Sequence, residues 1–247
     1  MVVFTKDEHL LFIEDCLECG TTYDYVLIFL LATGTRLKEA LGLQWDKINF
    51  DKKVVTINQQ IQSVPSSNKN SKYKYEIKIL KETKTKHSTR DIPIYDFLIP
   101  ALKKLKGKQN ELKLKNGNLY DRDLNLVFAK DNCSFICDTT LRKYYNEKLE
   151  RLGIKHIRLH DLRHTFATRA FEAGVDPKLI SSYLGHSNIA TTMDIYTHVL
   201  PNKKRELIDI TSSFYDKITN KNVVEKYNVF TAKKREKSIG NNPTNNR

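Results

Sequence analysis

Three short stretches in the C-terminal half of the 247-residue chain carry side chains suited to phosphate chemistry. They are His160-Asp161-Leu162-Arg163-His164, then Leu184-Gly185-His186, then Tyr196. A phosphodiester bears one negative charge, and its displacement passes through a pentacoordinate state with more charge on the equatorial oxygens. A guanidinium donates two parallel hydrogen bonds, so Arg163 is suited to hold such oxygens. The histidines can donate, accept or shuttle protons, and Tyr196 offers a hydroxyl as nucleophile.

The elements that must position these groups are legible around them. A helix over residues 160–174 puts His160, Arg163, His164 and Ala167 on one face, by the i, i+3, i+4 rule. Leu162, Phe166, Arg169 and Ala173 lie about 120° round, a largely separate apolar stripe. Taken alone, His-x-x-Arg equally describes a surface helix with scattered polar residues. Asp176-Pro177 then marks a helix start, with Asp as N-cap and Pro at the first helical position. Leu179, Ile180, Tyr183 and Leu184 are expected to form its buried face, Tyr183 as a core aromatic. Gly185 is the expected left-handed cap, which holds His186 just past the helix end. Ser187 or Asn188 can cap a further short helix that carries Tyr196.

Upstream, Arg36 follows a Thr33-Gly34-Thr35 turn and opens a short helix, whose N-terminus itself favours anions. Glu39, one turn later, can orient Arg36 or cap the local amides. Lys84 lies between two expected strands, where a loop can extend it towards a nucleic-acid groove. The blocks Ala32-Thr33-Gly34-Thr35-Arg36-Leu37-Lys38-Glu39-Ala40-Leu41-Gly42-Leu43, followed by Trp45, and Lys84-Thr85-Lys86-His87-Ser88-Thr89-Arg90-Asp91-Ile92-Pro93-Ile94 precede the three stretches above. With His160 to Thr168, Leu184 to Ser187 and Ile195 to Val199, they resemble, in order, the tyrosine recombinases of the phage-integrase family. The flavour is that of integrases of phages and conjugative transposons, and the likeness covers roughly residues 5–200.

The resemblance implies an α+β fold, a mainly α-helical catalytic domain over residues 1–216 with a small antiparallel β-sheet. It implies a catalytic set of Arg36, Lys84, His160, Arg163, His186 and Tyr196, with Glu39 in support. Lys81, Lys86 and Arg90 are expected to contact DNA, and Lys81 and Lys86 are near enough to Lys84 to compete for the lysine's register. The implied reaction needs no metal, nucleotide or cofactor. Tyr196 attacks the scissile phosphate and forms a 3′-phosphotyrosyl bond, the arginines neutralise the non-bridging oxygens, and the lysine protonates the leaving 5′-oxygen. Implied partners are double-stranded DNA at recombination core sites, a DNA-dependent homo-tetramer, and accessory DNA-bending proteins such as an excisionase. Family members usually carry an N-terminal helical core-binding domain. Here the catalytic domain's first helix is reached by Thr5, so that domain is expected to be absent.

Composition agrees. Forty-two Lys+Arg against 29 Asp+Glu give a formal net charge of +13 and a pI near 9.4, which favours a polyanionic partner. Residues 66–90 hold eight basic side chains against two acidic, and residues 217–247 the same, a net +6 in each. The latter stretch is expected to be a flexible basic tail. No apolar run is long enough to span a bilayer, and Lys6, Asp7 and Glu8 interrupt any signal-peptide pattern, so a cytoplasmic protein is expected.

Further elements are read as helices over 6–19, 22–33 and 36–42, a hairpin over 48–55, and strands over 54–61, 75–80 and 88–95. Helices are expected at 95–106, 138–151 and 201–216. Cys16-x-x-Cys19 and Cys133-x-x-x-Cys137 have the spacing of a zinc site. One turn apart beside Leu10, Phe12 and Ile13, however, the first pair reads as small buried hydrophobes. Two further functions fit the same residues: a topoisomerase IB-like relaxing enzyme, and a non-catalytic DNA-binding remnant of a truncated integrase.

Overall fold

A computed structural model describes residues 2–65, 75–81, 89–116, 124–132, 134–186 and 188–197. The chain divides after His198. Residues 199–247, with the helix expected at 201–216, the expected domain limit at 216 and the basic tail, lie outside the described residues. The elements in order are α1 (Lys6–Cys19), α2 (Thr22–Thr33), α3 (Leu37–Leu41), a 3₁₀ turn (Trp45–Lys47), β1 (Ile48–Asn49), β2 (Val54–Ile57) and β3 (Gln59–Pro65). Then come β4 (Tyr75–Lys81), β5 (Arg90–Pro93), α4 (Leu98–Asn116), α5 (Asp138–Arg151), α6 (Asp161–Glu172) and α7 (Pro177–Leu184). This is the helix-dominated α+β arrangement expected, with antiparallel strand pairs.

α2 is the central helix because it is apolar all round, and every residue from Asp24 to Thr33 is buried. A Thr21–Asp24 capping box starts it and a left-handed Gly34 ends it. The buried Asp24 carboxylate is paired with Lys148 of α5 at 2.9 Å and accepts from Thr21 Oγ1 at 2.6 Å and the Tyr144 hydroxyl at 2.9 Å. Lys148 also pairs with Asp15 of α1. One buried ammonium therefore ties α1, α2 and α5, and leaving the fully buried Asp24 carboxylate unpaired would cost about 3–5 kcal/mol, whereas Asp15 also holds Arg151 at 2.7 Å.

Two expectations change in detail. Inward-facing residues alternate without interruption from Val55 through Ile57 and Gln59 to Ile61, which is why residues 54–61 read as one strand. The chain nevertheless changes partner at Asn58. β2 pairs with β5 in a three-stranded sheet of order β1-β2-β5, while β3 pairs with β4 in a separate two-stranded sheet. α4 runs to Asn116 instead of ending near residue 106. Gly107 is tolerated because a polar anchor lies beyond it: the buried Gln109 accepts from Trp45 Nε1 at 2.7 Å and donates to Val127 O at 2.8 Å. A polar anchor is invisible to apolar periodicity. Of the cysteines, Cys16 is buried as expected, whereas Cys19 is exposed near Asp15 and Arg151.

Candidate active site

The site is assembled where the α2–α3 turn meets the start of α6 and the end of α7. Gly34 has φ +62°, and a Cβ there would sit 2.7 Å from both Leu184 Cδ2 and Phe166 Cδ1. Only glycine allows the turn to lie this close to both helices. Two residues later Arg36 caps α3, and Glu39 reaches back to it. The Glu39 carboxylate accepts from Arg36 N at 2.9 Å and from Arg36 Nη1 at 2.7 Å. It is fully buried and also holds Arg90 of β5, with Arg90 Nη2 at 2.8 Å and Nη1 at 3.3 Å. Burial alone would raise this carboxyl. Hydrogen bonds from Arg90 and its charge, with Arg36 behind them, outweigh burial and hold the group below the ordinary carboxylate range.

Three arginines from three elements meet the last carbonyls around α7, one to each consecutive residue. Arg90 Nε donates to Tyr183 O at 2.9 Å, Arg163 Nη2 to Leu184 O at 2.9 Å, and Arg36 Nη2 to Gly185 O at 2.8 Å. These are carbonyls that a helix end leaves without partners inside the helix, at the negative pole of its dipole. Arg163 also donates through Nη1 to Gly34 O at 2.7 Å, and only 4% of it is exposed. Burial and the neighbouring Arg36 push Arg163 down to about 9, which leaves it charged at neutral pH. Glu39 is the carboxylate ion-paired with Arg36 and Arg90, so the cluster carries excess positive charge in a poorly hydrated place. Such an arrangement favours an anion.

The histidines border this cluster. His160 caps α6, and its ring meets that of His164 edge to face, centroids 5.1 Å apart. Asp161 anchors the preceding turn by accepting from Arg158 N at 3.0 Å and Arg158 Nη2 at 2.9 Å. His186, just past the left-handed Gly185, places Nδ1 2.7 Å from Oγ1 of the fully buried Thr192. With that hydroxyl donating, the ring proton resides on Nε2, the form able to donate to a phosphate oxygen. Desolvation, followed by Arg163 and Arg36, lowers His186 to about 4, and desolvation followed by Arg163 lowers His160. Without an anion present, His186 is neutral at pH 7.

The phage integrase family matches residues 3–203 of this sequence. The chain belongs to that family. Among similar curated proteins, one named tyrosine recombinase XerC-like, from Caldanaerobacter subterraneus, is 40% identical over 192 residues. The match covers 76% of this chain and 49% of that protein. The transposase from transposon Tn916 of Enterococcus faecalis is 30% identical over 183 residues, covering 71% of this chain and 42% of its own. This integrase-family chain thus spans about half the length of the curated relatives it matches. A solved structure of the Tn1549 transposon integrase in complex with transposon right end DNA superposes with a TM-score of 0.62 at 26% identity. That likeness covers 85% of this chain and 66% of the other.

Set against the expectations for an integrase-family chain, Arg36, Glu39, Arg163 and His186 converge around the end of α7, with His160 at the start of α6. Tyr196 lies on a helical stretch over residues 190–197, its ring tilted at 52° against Phe171 with centroids 5.0 Å apart. Phe171 is eight residues along α6 from Arg163, about 12 Å of axial rise. Lys84 and Lys86 lie outside the described residues, and Lys81 ends β4. Arg90, expected to contact DNA, has a side chain 8% exposed and engaged by Glu39 and Tyr183 O. Leu179, expected on the buried face of α7, is 61% exposed, because Ile180 and Leu184 are the apolar residues this helix buries. It borders an apolar groove together with Ile13, Phe166 and Ala170. Tyr183 is half-buried, stacked on Phe166. Thr192 was not legible as a site residue. Its one signal is a hydroxyl six residues beyond the histidine, on the next helix.

Proposed function

We propose that this chain is the catalytic domain, over residues 1–216, of a site-specific DNA recombinase that integrates or excises a mobile element. The observation that carries the reading is the anion-seeking pair of the buried Arg163 and the part-exposed Arg36, flanked by His160 and His186, in a chain of the integrase family. Arg36 and Arg163 would exchange carbonyl partners for the non-bridging oxygens of the scissile phosphate, gaining an anionic acceptor in place of a neutral one. Tyr196, packed on Phe171 in the DNA-free chain, would have to swing towards the arginines, whereupon its Oη attacks phosphorus in line. The Oη–P bond forms, the P–O5′ bond breaks, and the leaving 5′-oxygen takes a proton from Lys84. A free tyrosine has a pKa of about 10, so the phenolic proton must be drawn off, a task for His160. Attack by a second 5′-hydroxyl reverses the steps and rejoins the strand with no external energy source.

The relatives named as recombinases and transposases support strand exchange over simple relaxation of supercoils. Lys81 and Lys86 flank the lysine-bearing segment and would contact the DNA backbone. The protein would assemble as a tetramer on paired core sites, helped by accessory DNA-bending proteins, and act in the cytoplasm. No described helix is long and apolar enough to cross a membrane.

Tyr196→Phe tests the reading. It removes the nucleophile and no charge, so DNA binding should persist while covalent linkage disappears. A duplex carrying the element's ends, nicked close to the scissile phosphate, should trap a denaturation-resistant adduct with the unaltered protein and none with the variant. An equal yield of adduct from both would move the nucleophile elsewhere.

A further inference from the structure

Arg90 has the chemistry of a DNA ligand, but all three of its guanidinium nitrogens are engaged within the protein. Its side chain is 8% exposed, and its bonds run to Glu39 through both Nη atoms and to Tyr183 O through Nε. Packing leaves it little freedom to leave. A Cβ added at Gly185 would come within 3.0 Å of Arg90 Nη1 and 3.1 Å of its Cζ, so the guanidinium lies against the backbone that leads into His186.

Resting on the reading above, we propose that Arg90 is a positioning residue of the strand-cleavage reaction. It clamps Glu39 to the end of α7 and thereby holds Arg36 and His186 in register before DNA arrives. Glu39 divides its two oxygens between Arg36 and Arg90: Oε1 takes Arg36 Nη1 and Arg90 Nη1, Oε2 takes Arg36 N and Arg90 Nη2. With Arg90 gone, the buried carboxylate would rotate to draw more fully on Arg36, its remaining cation. That would tie up the guanidinium which must meet the phosphate. Tyr183 O would also lose its donor, loosening the turn that aims His186. Both Nη atoms of Arg163 and Nη2 of Arg36 rest on neutral carbonyls, which an anion can displace, whereas both Nη atoms of Arg90 are held by the Glu39 carboxylate. Arg90 is enclosed and stays engaged. It also opens β5, directly after the segment that contains Lys84, so one guanidinium ties that segment's exit to both α3 and α7.

The test compares Arg90→Lys and Arg90→Met in single-turnover cleavage of the nicked duplex, beside equilibrium binding of the same DNA. Arg90→Lys keeps the charge but has no planar fork to span Glu39 and Tyr183 O, so cleavage should slow by about tenfold, and further in Arg90→Met. DNA affinity should stay within about threefold in both, since Arg90 makes no phosphate contact. A merely structural role would not predict the next result. Arg36→Lys combined with Arg90→Lys should be no more than about threefold slower than Arg36→Lys alone, because the share of the effect that runs through Arg36 is already lost and only the share through His186 remains. Should Arg90→Met fail to fold, Arg90→Lys is judged alone. Unchanged cleavage, parallel losses of affinity and cleavage, or fully multiplicative effects would each overturn the proposal. Absence of any adduct with the unaltered protein would instead sink the recombinase reading.

Discussion

A single hydroxyl decides which nitrogen of His186 faces the site. Thr192 Oγ1 lies 2.7 Å from His186 Nδ1, and Thr192 is fully buried while His186 is half-buried. Thr192→Val keeps the shape and removes the bond. It should destabilise the fold by about 1 kcal/mol, and a free choice of tautomer should slow cleavage several-fold while DNA affinity holds. Thermal melts and the nicked-duplex assay read the two effects separately. Equal rates for both proteins would show that His186 does not depend on its neighbour's hydroxyl.

At the scale of elements, the site depends on how closely a turn and two helices approach. Gly34 combines φ +62° with contacts that leave no room for a Cβ, since Leu184 and Phe166 would each be 2.7 Å away. Its carbonyl also accepts from Arg163 Nη1. Gly34→Ala should therefore cost about 2–3 kcal/mol from backbone strain and overpacking together. It should also slow cleavage beyond what the stability loss explains, because it parts α2 from the α6–α7 pair that carries Arg163. Denaturant melts with a parallel cleavage assay check this. A fall in stability with an unaltered rate would mean that the arginine cluster tolerates the shift.

For the whole molecule, charge sets both the pH response and the partner. His9 and His186 are lowered to about 4, chiefly by desolvation, and His160 and His164 are lowered for the same leading reason. Unfolded histidines take up protons below about pH 6.5. The folded ones resist until lower pH, so the unfolded state binds more protons and stability falls as pH drops from about 6.5 towards 4. The depressed carboxyls Glu39 and Asp161 act in a lower window. Their contribution is present above the ordinary carboxylate pKa and is lost as pH falls through their folded values. Melting temperature should therefore decline steadily from pH 7 to pH 4.5, and a flat profile would contradict the burial of these rings. The formal charge of +13 should make DNA affinity fall steeply with salt. The protein should sediment as a monomer alone and as a higher oligomer only with core-site duplex. A stable tetramer without DNA would refute that.

How much of this was legible follows from the range over which each feature is specified. Asp176 as N-cap, Gly34 as a helix-ending turn, Gly185 as a left-handed cap, and His160 with Arg163 at the mouth of α6 are set by contacts within one helical turn. The sequence alone was sufficient for them, and the order of motifs was sufficient for the family and its expected chemistry. Partner choice across the chain was not legible. Residues 54–61 keep a single alternation through a change of sheet, because alternation records which face is buried and not which strand lies alongside. Arg90 read as one more cation in a basic stretch, since nothing local to it names Glu39, 51 positions away, or Tyr183, 93 positions away. The same holds for three arginines settling on three consecutive carbonyls. A helix end advertises that it lacks donors, but only the packing of α3, β5 and α6 around it decides which side chains supply them.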